Sequence, residues 1–160
     1  MPMPGNLTIT GEEQGLIEGS CDIEEREGTI LVQAFDHIVE IPTDDRGVAI
    51  GRRLHRPMMI TKEFDKSTPM LYQALCTGEL LTEVVLDWYR MDGFGEQELY
   101  FSMQMENAMI TKVHPWVPNV LDRSNETLKH MEDVFISYEK IIWTWEADGI
   151  EFEDAWGEIA

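Results

Sequence analysis

Apolar and polar residues alternate with a period of two along most of this chain, and one short stretch switches to a helical period. In Glu98–Glu106, Leu99, Phe101, Met103 and Met105 share one parity against Glu98, Tyr100, Ser102, Gln104 and Glu106, the pattern of a half-buried strand. Leu80–Arg90 sets Leu80, Val84, Leu86 and Trp88 against Glu83 and Asp87. Between these segments, Asp92-Gly93-Phe94-Gly95 predicts a hairpin turn. Val134–Trp145 begins with Val134, Ile136 and Tyr138 in phase, then shifts to Ile141, Trp143 and Trp145, which predicts a bulge near Glu139–Lys140. Ile30–Ile41 is a β-branched and aromatic run in which neither parity is wholly polar. Shorter strands are expected at Leu7–Thr10, Leu16–Cys21, Met58–Lys62, Met109–Val113 and Ile150–Glu153.

The helical stretch follows Asp65-Lys66-Ser67-Thr68-Pro69, where Thr68 can cap free N–H groups and Pro69 suits the first helical position. Leu71, Ala74 and Leu75 then fall on one face, and Gly78 can close the helix in a left-handed conformation. A lone helix this short is not stable in water, so it must dock on a sheet. The expected fold is mainly β: an antiparallel β-barrel of two packed sheets, with one short α-helix on its side and a long extended loop. Long connections at Pro42–Arg56 and Pro115–Met131 interrupt it, and no repeat or linker divides residues 1–160, so one domain is expected.

Composition changes this picture in one respect. The chain carries 31 acidic and 12 basic residues, a net charge of −19. That disfavours a binder of nucleic-acid backbones, whose affinity rests on Lys and Arg neutralising phosphates. No run of 18 apolar residues exists, so no membrane-spanning helix is expected. The N-terminus lacks the basic and apolar regions of a classical signal peptide. Cys21 and Cys76 are expected to be reduced thiols.

A catalytic reading finds no constellation. His37, His55, His114 and His130 are widely spaced, and no metal, phosphate or nucleophile motif occurs, so no enzyme activity and no cofactor are expected. His37, mid-strand, reads as a packed or hydrogen-bonded residue rather than a ligand. Most of the ten methionines read as core filling, with Met91 and Met109 near strand ends as exceptions.

Ile60-Thr61-Lys62 followed by Asp65-Lys66-Ser67 and Pro69 resembles the Hcp family (haemolysin-coregulated protein), the tube subunits of bacterial type VI secretion systems. The likeness continues through Gln14-Gly15, Val32–His37, Pro42-Thr43-Asp44, Gly51-Arg52, His55, Trp88-Tyr89-Arg90 and Tyr138-x-Lys140-Ile141-x-Trp143. The resemblance implies a homohexameric ring whose copies stack into a hollow tube. It implies as partners a VgrG-type spike protein, contractile sheath and baseplate components, and small effectors carried in the lumen. It also implies synthesis in the bacterial cytoplasm and export through the type VI apparatus. In such proteins the loop matching Pro42–Arg56 contacts neighbouring subunits, which makes Asp44, Asp45, Arg52, Arg53 and His55 candidates for subunit or ring contacts. Asp36 becomes the candidate for contact with cargo in the lumen, and Asp65, Lys66, Ser67 and Pro69 a structural helix-start motif. The competing class is a monomeric barrel binding a small apolar ligand, which a filled interior would oppose.

Overall fold

The computed structural model describes residues 2–156. Strands β1 (Gly5–Gly11), β2 (Gly15–Ile17), β3 (Ile30–Val32), β4 (Ala34–Asp36), β5 (Val39–Glu40), β6 (Leu54–His55) and β7 (Met58–Glu63) precede helix α1 (Thr68–Thr77). Strands β8 (Leu81–Met91), β9 (Gln97–Trp116), β10 (Met131–Ser137), β11 (Lys140–Trp145) and β12 (Ile150–Ala155) follow, with one 3-10 turn at Arg123–Asn125.

Both alternation breaks seen in the sequence are places where the chain changes sheet. The Ile30–Ile41 run is not one strand. Residues of β3 pair with β1, Gln33 donates its N–H to Thr61 O at 2.8 Å, and β4 then pairs with β7. Each parity is therefore core-facing in turn, first in one wall and then in the other. The expected bulge in Val134–Trp145 is likewise a corner: β10 lies in one wall, β11 in the other, with Tyr138 and Glu139 between. Opposite this corner β9 bends at Asn107, whose φ of 51° lies in the left-handed region that Asn tolerates better than most residues. Glu139 donates its N–H to Glu106 O at 3.3 Å and so ties the two bends together.

The separate strands expected at Glu98–Glu106 and Met109–Val113 are thus one 20-residue strand. Its first part pairs with β8 and β11, its second with β10. Half-burial on both faces blurs the alternation there, and only Met105 of the four expected inward residues is fully buried. Strand order is β2-β1-β8-β9-β10-β7-β4, with β11–β12 branching from β9 and β3 lying on β1. The path is open at β2 and β4, so the strands do not close into the expected barrel; two antiparallel walls face one core instead.

That core is aliphatic. Leu7, Ile9, Ile60, Leu86, Val134 and Ile136 have no exposed surface, and each contributes roughly 1.5–3 kcal/mol by burial. The tryptophans sit at its margins: Trp88, Trp143 and Trp156 pack against it half-buried. A register slip near Thr10–Gly11 reverses the start of β8, so Leu81 is buried and the expected Leu80 is exposed.

Helix α1 packs on β9 through Leu71 and Ala74. Its cap is Ser67 rather than the expected Thr68, and no side chain caps it; Pro69 falls in the first turn and Gly78 closes the last at φ 66°. After the helix, Glu79 turns back to accept N–H bonds from Glu13 (3.2 Å) and Gln14 (3.0 Å), while the Gln14 side chain bonds Glu79 and Met70 O. Burial pushes the Glu79 carboxyl up, but the Gln14 and Glu13 bonds outweigh it and hold the carboxyl below its ordinary value. A Cβ on Gly11 would lie 1.9 Å from the Glu79 carboxylate, so this knot needs glycine there.

Thr68 serves the helix start differently. Its hydroxyl accepts the Asp65 N–H at 3.1 Å and donates to Glu132 at 2.9 Å, beside the Lys62 ammonium at 3.3 Å. Lys62 and Glu132 form an ion pair with no exposed surface on either side chain. Asp65 completes the cluster at 3.1 Å from Lys62 and accepts the Ser67 N–H at 2.9 Å and the Ser67 hydroxyl. Burial pushes the Asp65 carboxyl up, yet the Ser67 hydroxyl and Lys62 together hold it below its usual range. Asp65 and Ser67 thus both take part in the hydrogen-bond network at the helix start. Lys66 instead points outward to Glu18 at 3.3 Å.

Candidate assembly surface

The Pro42–Arg56 segment is a narrow hairpin arm rather than an irregular loop. Its legs pair through β5 and β6, Val39 opposite His55 and Glu40 opposite Leu54. Arg56 N–H donates to Ile38 O and Ile50 N–H to Pro42 O, both at 2.9 Å, and Thr43 bridges to Ala49. Asp44 shapes the tip by accepting the N–H groups of Arg46 (2.8 Å) and Val48 (3.0 Å), with Gly47 at φ 81°. An ion pair between Arg56 and Glu40 at 2.7 Å joins the legs.

Val39, Ile41, Val48 and Ile50 are all exposed on this arm, Ile50 by 64%. Apolar side chains grouped this way make the arm a candidate interaction surface. Two further apolar points stand at other connections: Phe94, 94% exposed on the β8–β9 turn, and Val120-Leu121 between β9 and β10. Asp92 builds the first of these turns by accepting the N–H groups of Phe94 (2.7 Å) and Glu96 (2.9 Å).

The candidate residues divide. Asp44, Asp45 and Arg52 are exposed on the arm, and Asp44 is already used by its own turn. Arg53 and His55 engage the same chain. Arg53 makes a two-point contact with Asp154 on β12, at 2.6 and 2.7 Å. His55, only 3% exposed, places Nε2 2.8 Å from Asp154 and Nδ1 2.7 Å from the Tyr138 hydroxyl. Trp156 stacks on the His55 ring at 5.0 Å. Arg53 is the main force holding the Asp154 carboxyl below its ordinary range; burial opposes it and His55 assists. Burial, helped by the Asp154 charge, pushes the Tyr138 hydroxyl up. Asp36 is exposed on β4, directly opposite Met59.

Sequence reading missed Tyr138, Asp154 and Trp156 as a group. The available signal is the pair His37 and His55, one just before the first leg of the arm and one within its second leg. The split also separates two variants. Arg52→Glu is expected to leave subunit stability within about 0.5 kcal/mol, as for a surface position without side-chain partners among the described residues. Arg53→Glu sets a carboxylate against Asp154 and is expected to lower the unfolding midpoint clearly, in thermal melts of both proteins at one pH. Equal midpoints would contradict this division.

A family model described as "Type VI secretion system effector, Hcp" matches residues 7–145. The chain belongs to the Hcp family. Among Hcp relatives, it is 39% identical to the "Major exported protein" of Pseudomonas aeruginosa, over 98% of this chain and 96% of that one. The structure of the Hcp1 protein from the E. coli EAEC 042 pathovar superposes with a TM-score of 0.86 at 37% identity, covering 96% of this chain and 99% of that one. The "Secreted protein Hcp3 from Pseudomonas aeruginosa" gives 0.80 at 36% identity, covering 96% and 97%. The uncharacterised protein YhhZ of Escherichia coli is 27% identical over 85% of this chain, which spans only 33% of its length. Hcp membership makes this a type VI secretion protein of an exported kind, and among its described residues no helix is long and apolar enough to cross a membrane.

Proposed function

We propose that six copies of this chain form a ring, that rings stack into the hollow inner tube of a type VI secretion apparatus, and that the tube carries small effectors. The observation that carries this reading is the arm: a braced hairpin, fixed at its base, holding four large apolar side chains in solvent. A braced arm costs less ordering entropy on docking than a floppy one, so it suits repeated self-association. Asp45 and Arg52 lie beside those apolar residues as charges of opposite sign for a neighbour to pair with. Asp36, exposed on β4, is the proposed contact for cargo in the lumen. The spike, sheath and baseplate are the partners of the assembled tube. Synthesis in the cytoplasm, followed by export with the tube, completes the proposal.

Light scattering behind size exclusion tests it. The expected native mass is about six times 18.5 kDa. A monomer that persists at high protein concentration would overturn the ring.

A further inference from the structure

Both legs of the arm end on one phenol. His37 follows β4 at the base of the first leg, and His55 is the last residue of β6 in the second. The Tyr138 hydroxyl lies between them, 2.8 Å from His37 Nε2 and 2.7 Å from His55 Nδ1. Among the described residues, the charged and titratable groups around the two imidazoles are Asp36 on β4, Tyr138 from the β10–β11 corner, Asp154 on β12 and Arg53 on the arm. Trp143 and Trp156 cover the His55 ring, so water does not replace these partners freely.

Counting hydrogens fixes what this bridge can tolerate. Two gaps, Nε2 to phenol oxygen and phenol oxygen to Nδ1, are filled by two hydrogens: the phenolic one and one imidazole N–H. Protonating both rings places three hydrogens in two gaps and two cations against one oxygen. Whichever ring carries the shared hydrogen, the second proton breaks the bridge.

We propose that the His37–Tyr138–His55 bridge is an acid-released latch, closed at neutral pH to brace the arm and opened by a second proton. As a control on assembly, the latch rests on the ring reading above; as a property of the arm it does not. Geometry and environment agree. Burial lowers the affinity of His37 for a proton, His55 lowers it further, and Asp36 only partly opposes them. An imidazole depressed in this way takes its proton more readily when the arm is open. The closed form is therefore fully favoured above the ordinary imidazole value of about 6.5 and is lost progressively as pH falls from there toward the depressed value. Opening then rises by up to about tenfold per pH unit until the depressed value is reached.

Hydrogen exchange on the full chain between about pH 7.5 and about pH 5.5 reads the latch, with native mass measured on the same samples. The Ile50 and Arg56 amides, bonded to Pro42 O and Ile38 O, report the arm, and β7 amides report the core. After correction for intrinsic rates, arm protection is expected to fall by up to about tenfold per pH unit while β7 holds. His37→Gln, which can still donate to the phenol but takes no proton, is expected to give a flat profile. Tyr138→Phe is expected to leave the arm poorly protected already at neutral pH. The latch is overturned by a wild-type arm that ignores pH, by a His37→Gln profile that follows the wild type, or by loss shared equally with β7. A monomer with a pH-gated arm would remove the ring and keep the latch; a ring with a pH-insensitive arm would do the reverse.

Discussion

Replacing Lys62 with methionine is expected to cost about 3–5 kcal/mol of folding stability, measured by urea unfolding of the isolated subunit. Lys62 and Glu132 face each other on adjacent strands, β7 and β10, and both side chains are wholly inside the protein. The ammonium bonds Glu63 O at 2.9 Å and Thr68 at 3.3 Å as well as Glu132, and it pairs with Asp65 at 3.1 Å. Methionine fills the same space but leaves Glu132 as an uncompensated buried charge, whose second oxygen has no partner even in the native protein among the described residues. The cost is therefore the stranded carboxylate rather than lost packing. One control follows. Lys62→Met with Glu132→Leu is expected to recover most of the loss, because no charge is then buried. A single variant that loses less than about 1 kcal/mol would show that solvent reaches this cluster.

Introducing Val48→Asp together with Ile50→Asp is expected to disperse the proposed rings to 18.5 kDa subunits with an unchanged circular dichroism spectrum. Both positions are exposed, by 57% and 64%, and neither supports the core, so the monomer has no reason to unfold. Covering each side chain at an interface is worth roughly 1.5–3 kcal/mol. Aspartate forfeits that gain and adds a charge to a subunit that already carries −19. Sedimentation velocity separates the two species, and persistence of the ring peak in the double variant would move the interface away from the arm.

The elements best read from the sequence are those with a single local cause. Pro69, Leu71, Ala74 and Gly78 fix the helix because capping geometry and helical spacing act within a few residues. The strands at β1 and β7 are legible because one face of each meets the core throughout. What failed was everything set by the two walls together. Ile30–Ile41 looked like one strand because the pattern cannot say which wall each parity serves, and β9 looked like two because its bend at Asn107 resembles a turn. Leu80 and Leu81 exchanged places because a register slip leaves no mark in hydrophobicity. At the site, charge and loop length point to the arm, but nothing local shows that Arg53 and His55 also engage their own chain. Their partner Asp154 lies 101 and 99 residues away, a distance over which spacing carries no information.

Strand β9 has a mechanical consequence. Parting the two walls by peeling would break hydrogen bonds one at a time, as a zipper opens. Because β9 is a single covalent thread running from one wall into the other, a pull along its length must instead load its rows of hydrogen bonds together and in shear. The subunit is thereby stiff in the direction of that strand and softer across it, so a push applied end to end travels through the backbone rather than through the weaker seams between strands.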